Sequence, residues 1–201
     1  MQQEVTITDN QALTMLLEGN ERYATMHTTH PDQTLERRSE VVGGQHPFAI
    51  IFGCVDSRVP PEIVFDQGLG NLLVIRTAGH VIGDVALGSI EFGVEELGIP
   101  LVVVLGHEQC GAVAAAITAV EHHVAAHDKI QTLVDHIRPA VEQAQGQTGD
   151  LLHNAVWANI ELAVNELREI PLLQEFIEKG KLTVVGACYE LDTGKVILLE
   201  A

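Results

Sequence analysis

Residues 47–58 read PFAIIFGCVDSR. Five apolar residues stand in succession between a proline and a glycine. They are too few for an ordinary helix, and they do not alternate with polar residues. Such a run reads as a strand buried on both faces. The residues after it are of another kind: a thiol, a carboxylate and a guanidinium within five positions. Residues 100–111, PLVVVLGHEQCG, repeat the arrangement, with an imidazole and a second thiol after the apolar run. Residues 72–75 (LLVI) and 182–185 (LTVV) are two more runs of the same character. Residues 195–199 (KVILL) come just after Asp192-Thr193-Gly194, a turn signal, so this strand is expected to pair antiparallel with the one before it.

Helical patterns separate the runs. Residues 84–97 place Val85, Leu87, Ile90, Val94 and Leu97 at helical spacing, and residues 111–124, 130–145 and 154–169 have similar patterns. Strand–helix alternation predicts an α/β fold with a mostly parallel central sheet, four parallel strands plus an antiparallel edge strand, flanked by helices. Ahead of it, residues 1–44 read as an N-terminal helical arm. Asp9 or Asn10 is expected to cap a helix through Leu13, Leu16, Leu17 and Tyr23. A polar loop over 25–32 and a second helix over 34–42 come next, and Gly43-Gly44 ends the arm. There is no internal repeat. Residues 145–150 (QGQTGD) read as a loop, and residues 1–201 as a single domain.

Composition narrows the function classes. Of 201 residues, 46% are hydrophobic and 19% charged, which excludes a disordered chain. Eleven basic against 28 acidic residues give a formal charge of −17, so nucleic acid and anionic membranes are excluded as partners. Three cysteines are too few for a disulfide scaffold and read as reduced thiols of a cytoplasmic protein. No basic segment followed by an apolar stretch opens the sequence, and its apolar runs fall short of the ~20 residues of a membrane helix. The phosphate loop and the serine nucleophile elbow are absent, which removes two common α/β chemistries.

In an open α/β sheet, ligands bind beyond the carboxyl ends of the strands. If the first and third runs are neighbouring strands, Cys54, His107 and Cys110 converge. Two thiolates and an imidazole suit Zn²⁺, and three protein ligands leave the fourth position to water, as in a catalytic site. Taken singly, either cysteine reads as well as a small buried hydrophobe. Their placement at two strand ends, with Asp56 and Arg58 alongside, favours the metal.

Cys54-x-Asp56-Ser57-Arg58-Val59-Pro60, together with Gly106-His107-x-x-Cys110-Gly111-Ala112-Val113, resembles the β-class carbonic anhydrases. Residues 62–71 (EIVFDQGLGN), 74–79 (VIRTAG) and 88–92 (GSIEF) carry the resemblance across nearly the whole chain. It implies that Cys54, His107 and Cys110 bind zinc. It implies reversible hydration of carbon dioxide to bicarbonate by zinc-bound hydroxide, oriented by an Asp56–Arg58 dyad. Asp56 is then also a possible fourth zinc ligand in a closed state favoured at lower pH. Gln45, Leu73, Ala78 and Phe92 fall at the substrate-pocket positions, and the Gly111 backbone N–H is placed to contact substrate. Arg76 and Tyr189 match two of the three residues of a regulatory bicarbonate pocket, and Ile51 stands where relatives have tryptophan. The resemblance further implies a homodimer at minimum, or a tetramer, with the arm of residues 1–44 lying across a partner subunit.

Two other functions compete: hydrolysis of carbonyl sulfide or carbon disulfide on the same scaffold, and a non-catalytic zinc or redox-sensing module. His122, His123 and His127 read as surface residues in preference to a second metal site. Cys188 and Trp157 read as packing residues.

Overall fold

The computed structural model describes residues 7–200. Five strands form one sheet in the order β2-β1-β3-β4-β5. They are β1 (Ala49–Cys54), β2 (Leu72–Thr77), β3 (Leu101–His107), β4 (Thr183–Tyr189) and β5 (Val196–Leu198). β1 pairs parallel with both β2 and β3, and β3 pairs parallel with β4. β5 closes the edge antiparallel to β4, as the turn at 192–194 predicts. Every residue of β1 and β3 is buried, which is why their sequences are continuously apolar.

The helices are α1 (Asp9–Ala24), α2 (Leu35–Glu40), α3 (Pro61–Val64), α4 (Asp84–Glu95), α5 (Gly111–His122), α6 (Ile130–Ala144), α7 (Leu151–Glu169) and α8 (Pro171–Glu178). Successive side chains of a strand point to opposite faces. Ile50, Phe52, Val102 and Val104 accordingly pack into one core with residues of α4 to α8. Ala49, Ile51, Val103 and Leu105 pack into a second core with Ala12 and Leu16 of α1 and Val64 of α3.

Thr8, not Asp9 or Asn10, caps α1. Its side chain accepts the Gln11 N–H while the Gln11 side chain reaches back to the Thr8 N–H. This capping box is written in the sequence as Thr8-x-x-Gln11. Pro61 and Pro171 start α3 and α8, two short helices that the sequence reading does not single out.

Of the predicted arm, residues 1–6 lie outside the described part, and the rest behaves in two ways. α1 covers its own chain's sheet. Its buried Asn20 donates to the carbonyls of Val64 and Gly194 and accepts the Val196 N–H. Asp66 accepts from Arg22 Nε at 2.7 Å, from the Thr29 and His30 N–H groups, and from the Thr29 hydroxyl. Burial pushes the Asp66 carboxyl up, but these donors outweigh it and hold the group below the usual range. α2, in contrast, buries none of its residues, and Leu35 and Val42 are exposed.

Candidate metal centre

Cys54 is the last residue of β1, His107 the last of β3, and Cys110 stands just before α5. Because β1 and β3 are neighbours in parallel, their carboxyl ends bring the three side chains together. The ligand atoms lie within 4.8 Å of one another, and all three residues are buried. The Cys54 and Cys110 sulfurs are 4.0 Å apart as free thiols. Gln109 takes a positive φ of 52°, which turns the chain sharply enough for β3 to hand over to α5 between two ligands. Gly106 lets β3 approach α7, since a β-carbon there would lie 2.5 Å from Ile160 Cδ1.

His107 is oriented for ligation. Its Nδ1 lies 2.8 Å from the Glu108 carbonyl, which only accepts, so Nδ1 carries the proton. Nε2 is left as a buried lone pair without a partner. A backbone carbonyl fixing the far nitrogen is the usual support of a metal-bound histidine. The Gly79 N–H donates to the Cys54 sulfur at 3.3 Å. The Cys110 thiol donating to it holds Cys54 well below the usual thiol range, against burial. The same contact, with burial, pushes Cys110 up, because it would place a second negative charge beside the first. Soft donors that repel each other and an orphaned imidazole nitrogen form a set that a divalent cation satisfies, and the set fits Zn²⁺.

Asp56 stands beside the cluster, with Oδ2 3.8 Å from His107 Nε2. Arg58 grips its carboxylate with two side-chain bonds, Nε to Oδ1 at 2.9 Å and Nη2 to Oδ2 at 2.8 Å, and with its own N–H at 2.9 Å. That grip holds the Asp56 carboxyl far below the usual range. Arg76 reaches across from β2, where it sits in register with Gly53, and donates to the carbonyls of Cys54 at 2.8 Å and Asp56 at 2.6 Å. It braces the loop that carries both groups. Tyr189, its companion in the regulatory pocket implied by the resemblance, is buried with its hydroxyl 3.2 Å from that of Tyr23.

The five substrate-contact candidates do not assemble in the same way. Gly111 comes directly after Cys110, and Ala78 directly after the end of β2. Leu73, however, pairs with Ile50 at the far end of β2, while Thr77 pairs with Cys54. Four residues of strand, about 13 Å, separate Leu73 from the level of the thiol. Phe92 is 50% exposed on α4, and Gln45 is exposed before β1.

His122, His123 and His127 are exposed, and the only metal-capable group among the described residues is Cys54, His107 and Cys110. Cys188 is buried in the core, where burial pushes its thiol up to about 12. Trp157 packs against that same core. The Arg76 brace is legible only once β1 and β2 are known to pair. The Gly79 donor and Asn159, which holds Gly79, leave no signal in the sequence beyond a glycine in a turn and a polar residue on an apolar helix face.

The family model described as carbonic anhydrase matches residues 49–196. "Carbonic anhydrase 2" of Mycobacterium tuberculosis is 40% identical over 187 residues, 91% of this chain and 89% of the relative. The β-carbonic anhydrase of Coccomyxa, solved with acetazolamide, superposes with a TM-score of 0.73 at 27% identity, covering 93% of this chain and 86% of the other. The chain belongs to the β-class carbonic anhydrases. One of two tetrameric β-carbonic anhydrases of Sordaria macrospora shares the fold at TM-score 0.76 and 21% identity, over 94% of this chain and 97% of that one. The family's enzymes are zinc-dependent, and the Cys54–His107–Cys110 cluster is the group here able to take the ion.

Proposed function

We propose that this enzyme hydrates carbon dioxide reversibly, consuming water and releasing bicarbonate and a proton. The observation that carries the reading is the Cys54–His107–Cys110 cluster with an Arg58-held carboxylate 3.8 Å from its histidine nitrogen. Cys54, His107 and Cys110 would hold zinc, which supplies Lewis acidity that makes a water nucleophilic near neutral pH.

The remaining work belongs to the chain. Asp56 stays ionised and accepts a hydrogen bond from the attacking water, which aims the oxygen lone pair at carbon. Arg58 fixes that carboxylate by its double contact. Arg76 holds the Cys54 and Asp56 carbonyls, so ligand and orienting group keep one spacing. The Gly111 N–H, at the start of α5, would donate to the oxygen that gains charge as bicarbonate forms. Because Asp56 sits far below its ordinary value, a pH-dependent closure would turn on Arg58 releasing an ionised carboxylate, not on Asp56 taking a proton.

We further propose a homodimer at minimum, with the tetramer of the Sordaria proteins as the larger alternative. Exposed Leu35, Val42, Val85 and Phe92 support it. So does the separation of Leu73 from the thiols of its own chain, which a partner's pocket residues would make good. Residues 35–44, tied to their own chain through Arg37 at Leu69 and Asn71, are the part of the arm that leaves Leu35 and Val42 exposed to a partner. The enzyme works in a reducing, cytoplasmic setting, which its three free thiols favour. Stopped-flow carbon dioxide hydration on zinc-loaded protein, followed from mildly acidic to alkaline pH, tests the reading. Activity rising with pH is expected. Stoichiometric zinc with no hydration at any pH would overturn it in favour of a sensor or another small substrate such as carbonyl sulfide.

A further inference from the structure

Asn159 is buried on α7 among Ala155, Val156, Ile160 and Ala163, an otherwise apolar face. Both hydrogens of its side-chain amide go to one turn. Nδ2 donates to the Gly79 carbonyl at 3.0 Å and to His80 Nε2 at 2.8 Å. The double donation fixes which way the amide points, and it makes His80 Nε2 the acceptor. The turn is conformationally demanding. Gly79 and His80 have φ of 63° and 44°, and a β-carbon on Gly79 would lie 2.7 Å from Ile137 Cδ1. Gly79 is at the same time the residue whose N–H meets the Cys54 sulfur. A helix far downstream of Cys54 in the chain therefore reaches that sulfur through a single backbone residue.

We propose that Asn159 is a positioning residue of the metal centre: by clamping the Gly79–His80 turn it keeps the Gly79 N–H on the Cys54 sulfur. A hydrogen bond to a ligating thiolate draws charge from it and leaves the metal a stronger acid. The clamp thus sets how much charge Cys54 gives the ion. A structural polar contact alone would stabilise the turn without changing the electronics of the sulfur. The inference rests on the zinc reading above.

Cadmium-113 loaded into the unaltered, nitrogen-15-labelled chain gives the first test. A through-bond coupling between cadmium and the Gly79 amide proton is expected. Asn159→Ala and Asn159→Asp then remove the clamp. With cobalt(II) bound, the thiolate-to-metal charge-transfer band should move to longer wavelength, and chelator competition should give zinc binding about 10- to 100-fold weaker. Asn165→Ala, exposed on the same helix, should move neither. If neither cadmium, cobalt nor zinc binds, the zinc reading itself fails. Bound cadmium without coupling at Gly79 overturns this inference alone, and so does a folded Asn159 variant with native band and affinity. The cadmium measurement needs no substitution, so an absent coupling overturns the inference even where a variant does not fold.

Discussion

The candidate metal ligands and the substrate-contact candidates obey different geometries. Cys54, His107 and Cys110 sit at the ends of two adjacent parallel strands, so the sheet assembles them within one chain. Leu73 and Ala78 lie on or just beyond one strand too, yet β2 carries Leu73 to the opposite end of the sheet from Cys54. Strand ends converge, whereas residues spread along one strand do not. The candidate ion site is thus assembled within one chain by the fold, whereas Leu73 lies at the far end of the sheet from it.

Replacing a ligand should break the first half of this comparison most completely. Cys54→Ser or His107→Ala should bring zinc content to background by mass spectrometry and abolish hydration, a greater loss than the roughly 10- to 100-fold of a supporting contact. Arg58→Ala should retain zinc but lower kcat/KM by about that supporting factor. It should also let the Asp56 carboxyl titrate nearer the ordinary value of about 4, which pH-dependent NMR of a labelled aspartate would register. An unchanged titration would mean that the Arg58 grip is not what holds Asp56 low.

Leu73→Ala sharpens the second half. It should lower kcat/KM about tenfold, the scale of one trimmed apolar contact, at native zinc content. If Leu73 serves a partner's site, a chain carrying Leu73→Ala mixed with one carrying Cys54→Ser should recover activity in the mixed dimer. Asp66→Asn should cost about 2 kcal/mol through the lost charge-assisted bonds to Arg22 and its neighbours. That predicts a melting point lower by about 4–8 °C, with zinc binding intact. The wild-type contribution has the sign of a depressed carboxyl. It is fully present above about pH 4 and disappears as acid titrates Asp66 through its lower folded value. The smallest effect belongs to His122→Ala, His123→Ala and His127→Ala together, which should change neither zinc stoichiometry nor rate.

The strands are legible in the sequence because β1 and β3 are buried on both faces and so permit no polar interruption. Their adjacency, the condition on which the ion site depends, comes from parallel pairing of the two most apolar runs. α3 escapes because four residues carry too little period, while α8, opened by Pro171, has Leu172, Leu173, Phe176 and Ile177 at helical spacing and is short rather than unpatterned. Arg76 is legible as a charge but not as a brace, since its partners are carbonyls and carbonyls have no signature in a sequence. Asn159 is invisible for a related reason. Its meaning lies in a turn 80 residues away that only the packing of α7 on the sheet brings near.

Asn20 sets an order of events for a chain emerging from the ribosome. Two of its three partners, Gly194 and Val196, lie 174 and 176 residues downstream. α1 is the first helix synthesised among the described residues, yet it cannot seat its only buried amide until the last strand exists. Closing so long a loop is entropically slow. The apolar stripe around Ala12 and Leu16 has its partners on β1, α3 and β3 much earlier, so the polar seat of α1 is completed long after its apolar one.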